Sequence, residues 1–198
     1  LERVNLHDPL CILNSYPFEL SGGMKQRVAM ALAMVMEPNL LVADEPTSAL
    51  DVTVQAQVVN EMMKLRDNFN TSIIIVTHSM GVVSHMVDKV AVMYGGTIVE
   101  YGDKESVLNN PKHPYTEALM SAIPIADPDV EESRQRIPVG IKGNPPSFTN
   151  KQKGCLFAPR CEYASENCKY EEQKLTSIGN DRFIACTYME ERENMHHG

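Results

Sequence analysis

The sequence lacks the glycine-rich loop with which many nucleotide-binding proteins hold phosphate. No stretch of the form G-x-x-x-x-G-K-[ST], whose backbone amides and lysine cradle phosphates, occurs in its 198 residues. It does contain another anion-binding pattern, the Ser-Gly-Gly of LSGGMKQR at residues 20–27, directly before a helical pattern. The sequence therefore predicts half of a nucleotide site, with the other half supplied from elsewhere.

Three further absences narrow the class of protein. No run of about 18 apolar residues occurs, so we expect no membrane span. The first ten residues lack the apolar stretch of a signal peptide, and they also lack an initiator Met, from which we expect an N-terminal truncation. The net charge of −8 argues against a nucleic-acid partner held by bulk electrostatics.

The hydrophobic pattern predicts an α/β fold. Helices are expected at 22–36, 54–67 and 80–87, and continuous apolar runs at 40–43 and 73–76 are typical of strands buried on both faces of a parallel sheet. Two β-rich runs around Gly95-Gly96 predict a two-residue hairpin at an antiparallel edge of that sheet. The expected inward faces of the first two helices consist of Met24, Val28, Leu32 and Val35, and of Val54, Val58, Met62 and Leu65.

Proline content divides the chain. Residues 1–123 are predicted to form one α/β domain, and the proline-interrupted stretch that follows is interpreted as a linker at 124–140. Residues 141–198 are predicted to form a small module that carries four cysteines.

Two strand ends carry groups suited to phosphate chemistry. Asp44 and Glu45 follow the first buried strand and His78 follows the second, so a parallel sheet brings them to one edge. Asp44 is a candidate Mg²⁺ ligand, Glu45 a candidate base for an attacking water, and His78 a candidate contact to the γ-phosphate. The alternatives are an ordinary acidic turn and a structural histidine.

Two helix starts also have two interpretations. Ser21 can cap the first helix, while Gly22 and Gly23 leave backbone amides accessible to an anion. Asp51 can cap the second helix. For Ser21 and Asp51 alike, capping a helix is compatible with a second role in a nucleotide site.

Taken in order, these motifs resemble the second half of the ATP-binding subunit of ABC transporters, over residues 10–105. LSGGMKQ at 20–26 resembles the signature motif, LLVAD at 40–44 Walker B, and SALD at 48–51 the D-loop. Glu45 matches the catalytic carboxylate and His78 the switch histidine. The P-loop, the adenine-stacking aromatic and the Q-loop precede the signature in that family and are absent here.

The resemblance implies how an ATP site would be completed. In that family two subunits, identical or paralogous, dimerise head to tail, and the signature of one caps the γ-phosphate of ATP bound to the P-loop of the other. Asp44 would hold Mg²⁺, and Glu45 and His78 would be the catalytic pair. The residues expected to contact ATP are Ser21, Gly22, Gly23, Gln26 and Asp51.

The same resemblance implies a fold, an activity and partners. The fold would be the C-terminal portion of a P-loop NTPase-like parallel sheet. Without the P-loop strand, the apolar faces of the two predicted strands would be partly bare. The intact protein would be an ATPase that drives transmembrane permease subunits from the cytoplasmic side of the membrane, as a peripheral protein. This chain alone should be inactive.

The C-terminal residues narrow the resemblance. HPYTEAL at 113–119, the proline-rich GNPPS and GCLFAPRCEYASENC resemble the tail of the ATP-binding subunits that import oligopeptides, dipeptides or nickel. Which of these solutes is transported is left open.

Four of the five cysteines follow the spacing C-x5-C-x6-C-x17-C, namely Cys155, Cys161, Cys168 and Cys186. Four thiolates suit either Zn²⁺ or an iron–sulfur cluster, and the tight C-x2-C pairs of zinc ribbons are missing. Some members of the resembled branch carry a [4Fe–4S] cluster in this tail. A [4Fe–4S] cluster is therefore our first interpretation, ahead of Zn²⁺, free thiols or a disulfide.

A second hypothesis belongs to another class. The chain could be a non-catalytic metal-binding or regulatory module, or a half-subunit completed by a separate chain that contains the P-loop. The residues that precede Leu1 in the gene would discriminate between the hypotheses.

Overall fold

The computed structural model describes residues 4, 6, 8–48, 50–123, 140–146 and 153–187. Contacts divide the chain into two compact units, residues 1–87 and 88–198, which are described separately below. This division comes earlier than the predicted domain end at 123. Of the predicted linker at 124–140, all but the last residue lies outside the described residues, so the linker stays a prediction.

The first unit contains two parallel strands and the helices that pack on them. Strands β1 and β2 pair in parallel, with Leu40 opposite Ser72 and Asp44 opposite Val76. This confirms the α/β class and the parallel pairing. In chain order the elements are α1 (Pro9–Leu13), a 3₁₀ turn (Pro17–Glu19), α2 (Gly22–Met34), β1 (Leu40–Asp44), α3 (Val52–Phe69), β2 (Ser72–Val76) and α4 (Met80–Met86).

The inward face was predicted correctly for α3 and only in part for α2, whose Met24 and Val28 pack against the core. Val58, Met62 and Leu65 of α3 are buried in the core of the unit. On α2 the buried side chains are Met30 and Met34, while Leu32 and Val35 are exposed. Apolar residues surround most of α2, so spacing alone does not single out one face.

The strands are buried on one face only, which corrects the expectation of burial on both. Side chains alternate between half-buried and exposed along β1 and β2. Within the described residues, helices cover one side of this pair and the other side is apolar and exposed. The expectation of partly bare faces is thus confirmed for Leu40, Val42, Ile74 and Val76.

The second unit is built on a separate antiparallel sheet with strand order β3-β4-β6-β5. Gly95 and Gly96 connect β3 to β4 with φ of 60° and 81°, which confirms the two-residue hairpin. Among the described strands the hairpin does not join the parallel sheet, which corrects the prediction of an antiparallel edge there; β4 pairs with β6 from the C-terminal segment. The elements are β3 (Lys89–Tyr94), β4 (Thr97–Asp103), α5 (Lys104–Asn109), α6 (Pro114–Ser121), a 3₁₀ turn (Ala158–Arg160), α7 (Asn167–Tyr170), β5 (Thr176–Ser177) and β6 (Phe183–Ile184).

Three aromatic rings form the centre of the second unit's core. Tyr94, Tyr115 and Phe157 have ring centroids 4.6–5.4 Å apart, in tilted and edge-on arrangements that aromatic pairs favour. Arg160 ties this core to the segment at 140–146 by donating to the Tyr94 hydroxyl and to the carbonyls of Ile141 and Lys142. The cysteine segment is therefore part of the hairpin's core.

A buried carboxylate joins three parts of the second unit. Glu100, on β4, is fully buried and accepts hydrogen bonds from the backbone amides of Lys112 and His113. The guanidinium of Arg182, itself almost fully buried, pairs with the same carboxylate and also donates to the carbonyl of Asn110. Buried charges require such partners, so this cluster fixes the start of α6 relative to β4 and β6.

Arg182→Met should strongly destabilise the second unit, because it leaves the Glu100 carboxylate buried without its counter-charge. Loss of one partner of a buried pair costs about 3–5 kcal/mol. Lys142→Met, which removes a largely exposed pair with Glu162, should cost at most about 1 kcal/mol. Denaturant unfolding of the complete protein measures both changes, and equal effects would contradict the role given to Arg182.

Candidate functional site

The carboxyl ends of β1 and β2 bring two predicted catalytic residues into contact. Because Asp44 is opposite Val76 in the parallel register, the residues that follow both strands emerge at one edge. There Glu45 Oε1 and His78 Nδ1 are 2.8 Å apart, within hydrogen-bond distance. His78 is largely exposed and Glu45 about one third exposed, so both groups are accessible to a ligand.

The backbone at Glu45 departs from the extended conformation of β1. Its N–H still donates to the carbonyl of Val76, which continues the ladder by one residue. Its φ of 45° lies in the left-handed region, which is uncommon for a non-glycine residue and occurs often at functional sites. A turn follows, closed by the bond from Ser48 N–H to the Glu45 carbonyl, with Pro46 at its second position.

Asp44 is the last residue of β1, next to the Glu45–His78 pair, and its side chain is exposed. A magnesium ion in a phosphate site commonly binds one or two protein carboxylates, with substrate phosphates and water completing its shell. Within the described residues, no three His, Cys, Asp or Glu side chains are placed to hold a metal ion. One exposed carboxylate beside the Glu45–His78 pair fits the sparse protein ligation that Mg²⁺ uses.

The Ser-Gly-Gly segment begins α2. The Ser21 hydroxyl accepts from Met24 N–H at 3.3 Å, which is the predicted cap. The glycines also have a packing role that the sequence analysis missed. A Cβ on Gly23 would lie 2.7 Å from Val54 Cγ1, and one on Gly22 would lie 3.0 Å from Leu50 Cδ2.

Asp51 caps α3, as predicted, by accepting from Val54 N–H at 2.9 Å. The residue whose amide it binds is the one that contacts Gly23, so the starts of α2 and α3 are packed together. Gln26 is half-buried, one turn into α2. Ala49, within the SALD motif, lies outside the described residues. The structure therefore shows two separate contacts between predicted site residues or their segments. Gly23 packs against the capped start of α3, and Glu45 contacts His78.

The four clustered cysteines line one pocket in the second unit. The described cysteines are all free thiols, and Cys11 is exposed in the first unit. Burial raises the pKa of the Cys155 and Cys161 thiols, and neighbouring cysteines add to both shifts. The pocket is lined by His113, Pro114, Cys155, Phe157, Ala158, Cys161, Tyr163, Cys168, Gln173 and Cys186.

Close backbone packing shapes this pocket. Cys155 N–H donates to the Cys168 carbonyl at 2.7 Å, which joins two of the cysteine-bearing turns. Gly154 precedes this bond with φ of 78°, and a Cβ there would lie 2.4 Å from the Cys168 carbonyl oxygen. Only glycine fits such a backbone approach.

His113 is a member of the pocket that the sequence analysis did not identify as a site residue. It is 1 % exposed and caps α6 by accepting from Tyr115 N–H on its Nδ1 at 3.0 Å. The sequence signal was present in HPYTEAL, where a histidine precedes Pro at the first helical position. The residues that bring His113 near the cysteines are distant in sequence, so the motif alone did not reveal the contact.

Comparison with known proteins assigns the family. The family described as ABC transporter matches residues 1–48, and the one described as oligopeptide/dipeptide transporter, C-terminal region, matches residues 99–168. The dipeptide transport ATP-binding protein DppD of Caldanaerobacter subterraneus is 44 % identical over 96 % of this chain, and the oligopeptide transport ATP-binding protein OppD of Haemophilus influenzae is 44 % identical over 98 %. The chain belongs to the ABC-transporter ATP-binding proteins, in their oligopeptide/dipeptide branch.

The matched relatives are longer than this chain, which spans 57 % and 58 % of their lengths. A solved dimeric ATP-binding cassette, MJ0796 with ADP and Pi, is 27 % identical over 52 % of this chain and 43 % of its own. Its TM-score of 0.45 is too low to decide the fold, which rests here on the strands and helices themselves. Among the described residues, no helix is both long and apolar enough to cross a membrane.

Gly23→Ala should destabilise the first unit by about 1–3 kcal/mol, because its Cβ would overlap the stiff, β-branched Val54. Adding Val54→Ala should recover much of this loss in a double-mutant cycle measured by denaturant unfolding. Gly81→Ala is the matched control, since its Cβ would be 3.9 Å from the nearest atom. A Gly23→Ala chain as stable as the Gly81→Ala chain would show that the contact is unimportant.

Proposed function

We propose that this chain is part of an ATP-hydrolysing subunit that powers import of peptides through an ABC transporter. The observation that carries the proposal is the Glu45–His78 pair at the carboxyl edge of two parallel strands, beside Asp44. The names of the relatives, which are dipeptide and oligopeptide transport proteins, favour peptides over nickel as the transported solute.

In the proposed reaction Glu45 orients and deprotonates the water that attacks the γ-phosphate. His78 holds the Glu45 carboxylate in place through Nδ1, and its exposed ring is available to the γ-phosphate. Mg²⁺ held by Asp44 would neutralise developing charge on the phosphate oxygens. To accept a hydrogen bond from the water, Glu45 needs one carboxylate oxygen that is not bonded to His78. Breaking an exposed ion pair of this kind costs little free energy.

The remaining nucleotide motif acts on a different ATP molecule. Ser21, Gly22 and Gly23 begin a 13-residue helix, and the positive end of a helix dipole favours an anion such as the γ-phosphate. With Gln26 and Asp51 they would contact ATP held by the P-loop of a second subunit. The proposed partners are therefore that second ATP-binding subunit, identical or paralogous, and the transmembrane permease subunits at the cytoplasmic face of the membrane.

Glu45→Gln in the complete protein should lower ATP turnover by about 10²–10⁴-fold, the usual contribution of a general base. Binding of ATP should persist, since the amide keeps the shape of the side chain. Steady-state phosphate release and equilibrium nucleotide binding measure the two quantities. Glu37→Gln, at an exposed position after α2, is the matched control and should leave turnover unchanged. Wild-type turnover in Glu45→Gln would remove Glu45 from the mechanism.

The cysteine pocket supports a second proposal, that the complete protein binds a [4Fe–4S] cluster there. All four cysteines of the C-x5-C-x6-C-x17-C pattern line this pocket. In the described residues they do not converge as ligands of a single metal ion must. Zinc holds four sulfurs about 2.3 Å from one centre, whereas a cluster takes one thiolate per iron and so accepts wider spacing. The donor set therefore fits a cluster better than Zn²⁺.

The complete protein, purified anaerobically, should contain about four irons and four sulfides per chain and should show a broad absorption band at about 400 nm. Cys168→Ser should lower iron content sharply because it removes a buried pocket ligand. Cys11→Ser changes an exposed thiol in the other unit and should not. Stoichiometric zinc instead of iron, or no metal, would contradict the cluster proposal while leaving the ATPase proposal intact.

A further inference from the structure

His113 contributes the one imidazole ring among the described residues that line the cysteine pocket. Its ring is buried, with its centroid 6.1 Å from that of Phe157. Its backbone N–H donates to the buried Glu100 carboxylate at 2.9 Å. The side chain is therefore held both by packing and by the polar cluster that joins β4 to α6.

The cap of α6 fixes the tautomer of this ring. Nδ1 accepts from Tyr115 N–H, so it carries a lone pair and no hydrogen. An imidazole whose Nδ1 accepts a hydrogen bond is neutral, because the imidazolium ion carries a hydrogen on both ring nitrogens. In a neutral imidazole whose Nδ1 is unprotonated, the hydrogen is on Nε2.

This tautomer decides between two roles for His113. An imidazole that ligates a metal through Nε2 needs a lone pair there and usually donates from Nδ1–H to a neighbouring acceptor. His113 has the opposite arrangement. It is therefore unsuited to be a fifth ligand, and suited to donate a hydrogen bond to sulfur.

We propose that His113 donates its Nε2–H to a sulfur of the cluster bound by the four cysteines and thereby raises the reduction potential of that cluster. This inference rests on the cluster proposed above. A hydrogen bond to sulfur stabilises the reduced cluster, which carries one more negative charge, more than the oxidised one. His113 acts here as a positioning and tuning residue, because no bond to it forms or breaks when one electron enters the cluster.

Two substitutions separate the cap from the donor. His113→Asn places an acceptor where Nδ1 was and keeps the cap, but removes the N–H at the Nε2 position. His113→Gln places an amide N–H near the Nε2 position and loses the cap. His85→Asn, at an exposed position on α4 in the other unit, is the matched control for the change of residue type.

The test is a redox titration of the cluster in the complete, anaerobically purified protein, together with iron content and thermal unfolding of each variant. We expect His113→Asn to keep its iron but to hold about tenfold less reduced cluster at a fixed potential, which is about 59 mV for one electron. His113→Gln should return toward the wild-type potential despite a lower unfolding temperature. His85→Asn should match wild type.

Two results would overturn the proposal, and they are distinguishable. A wild-type protein without iron would remove the cluster and the role of His113 with it. If the cluster is present and His113→Asn leaves its reduction potential unchanged, the role of His113 alone is removed. The same holds if His113→Gln, which loses the cap but keeps an N–H donor, lowers the potential as much as His113→Asn does. Loss of an exchangeable proton signal near the cluster in His113→Asn, seen by electron–nuclear double resonance, would support it independently.

Discussion

The parallel register of β1 and β2 is the constraint on which the nucleotide-related residues depend. Side chains on a strand alternate between faces, so a slip of one residue would reverse which side chains meet at the strand ends. With Asp44 opposite Val76, the residue after β1 and the residue two positions after β2 come within hydrogen-bond distance. The exposed pair itself adds little stability. Its geometry is set by the backbone ladder and by the buried side chains that hold the ladder to α3.

The sequence was most informative where a chemical requirement is local. Helix caps depend on one side chain and the next amides, so Ser21 and Asp51 were both identified as caps. Two apolar runs joined by a helical pattern are enough to predict a parallel strand pair. The sequence therefore also predicted that Glu45 and His78 lie at one edge of the sheet. The inward face of α2 followed only for Met24 and Val28, because apolar residues surround this helix and the neighbours that select one face are distant in sequence.

The second unit shows the complementary case, in which contacts distant in sequence determine the structure. Nothing near residue 100 in the sequence indicates that Glu100 pairs with Arg182, or that β4 takes β6 as its neighbour. A hairpin offers two edges, and the pattern of apolar residues does not state which edge is covered or by what. For the same reason His113 was assigned to a family motif and not to the cysteine pocket.

The two sites differ in how their groups are held, and this difference has a chemical reason. Asp44, Glu45 and His78 lie at the ends of strands, partly exposed, as suits groups that are proposed to bind and release a nucleotide in each cycle. Phe157 of the aromatic core lines the cysteine pocket, and the buried Glu100 carboxylate fixes the His113 amide. The proposed cluster would need such rigidity, because small changes in the distance from donor to sulfur change the reduction potential. Burying the Glu100–Arg182 pair costs desolvation free energy. The pair also fixes the His113 segment beside the cysteines, which an apolar pair of similar volume would not do.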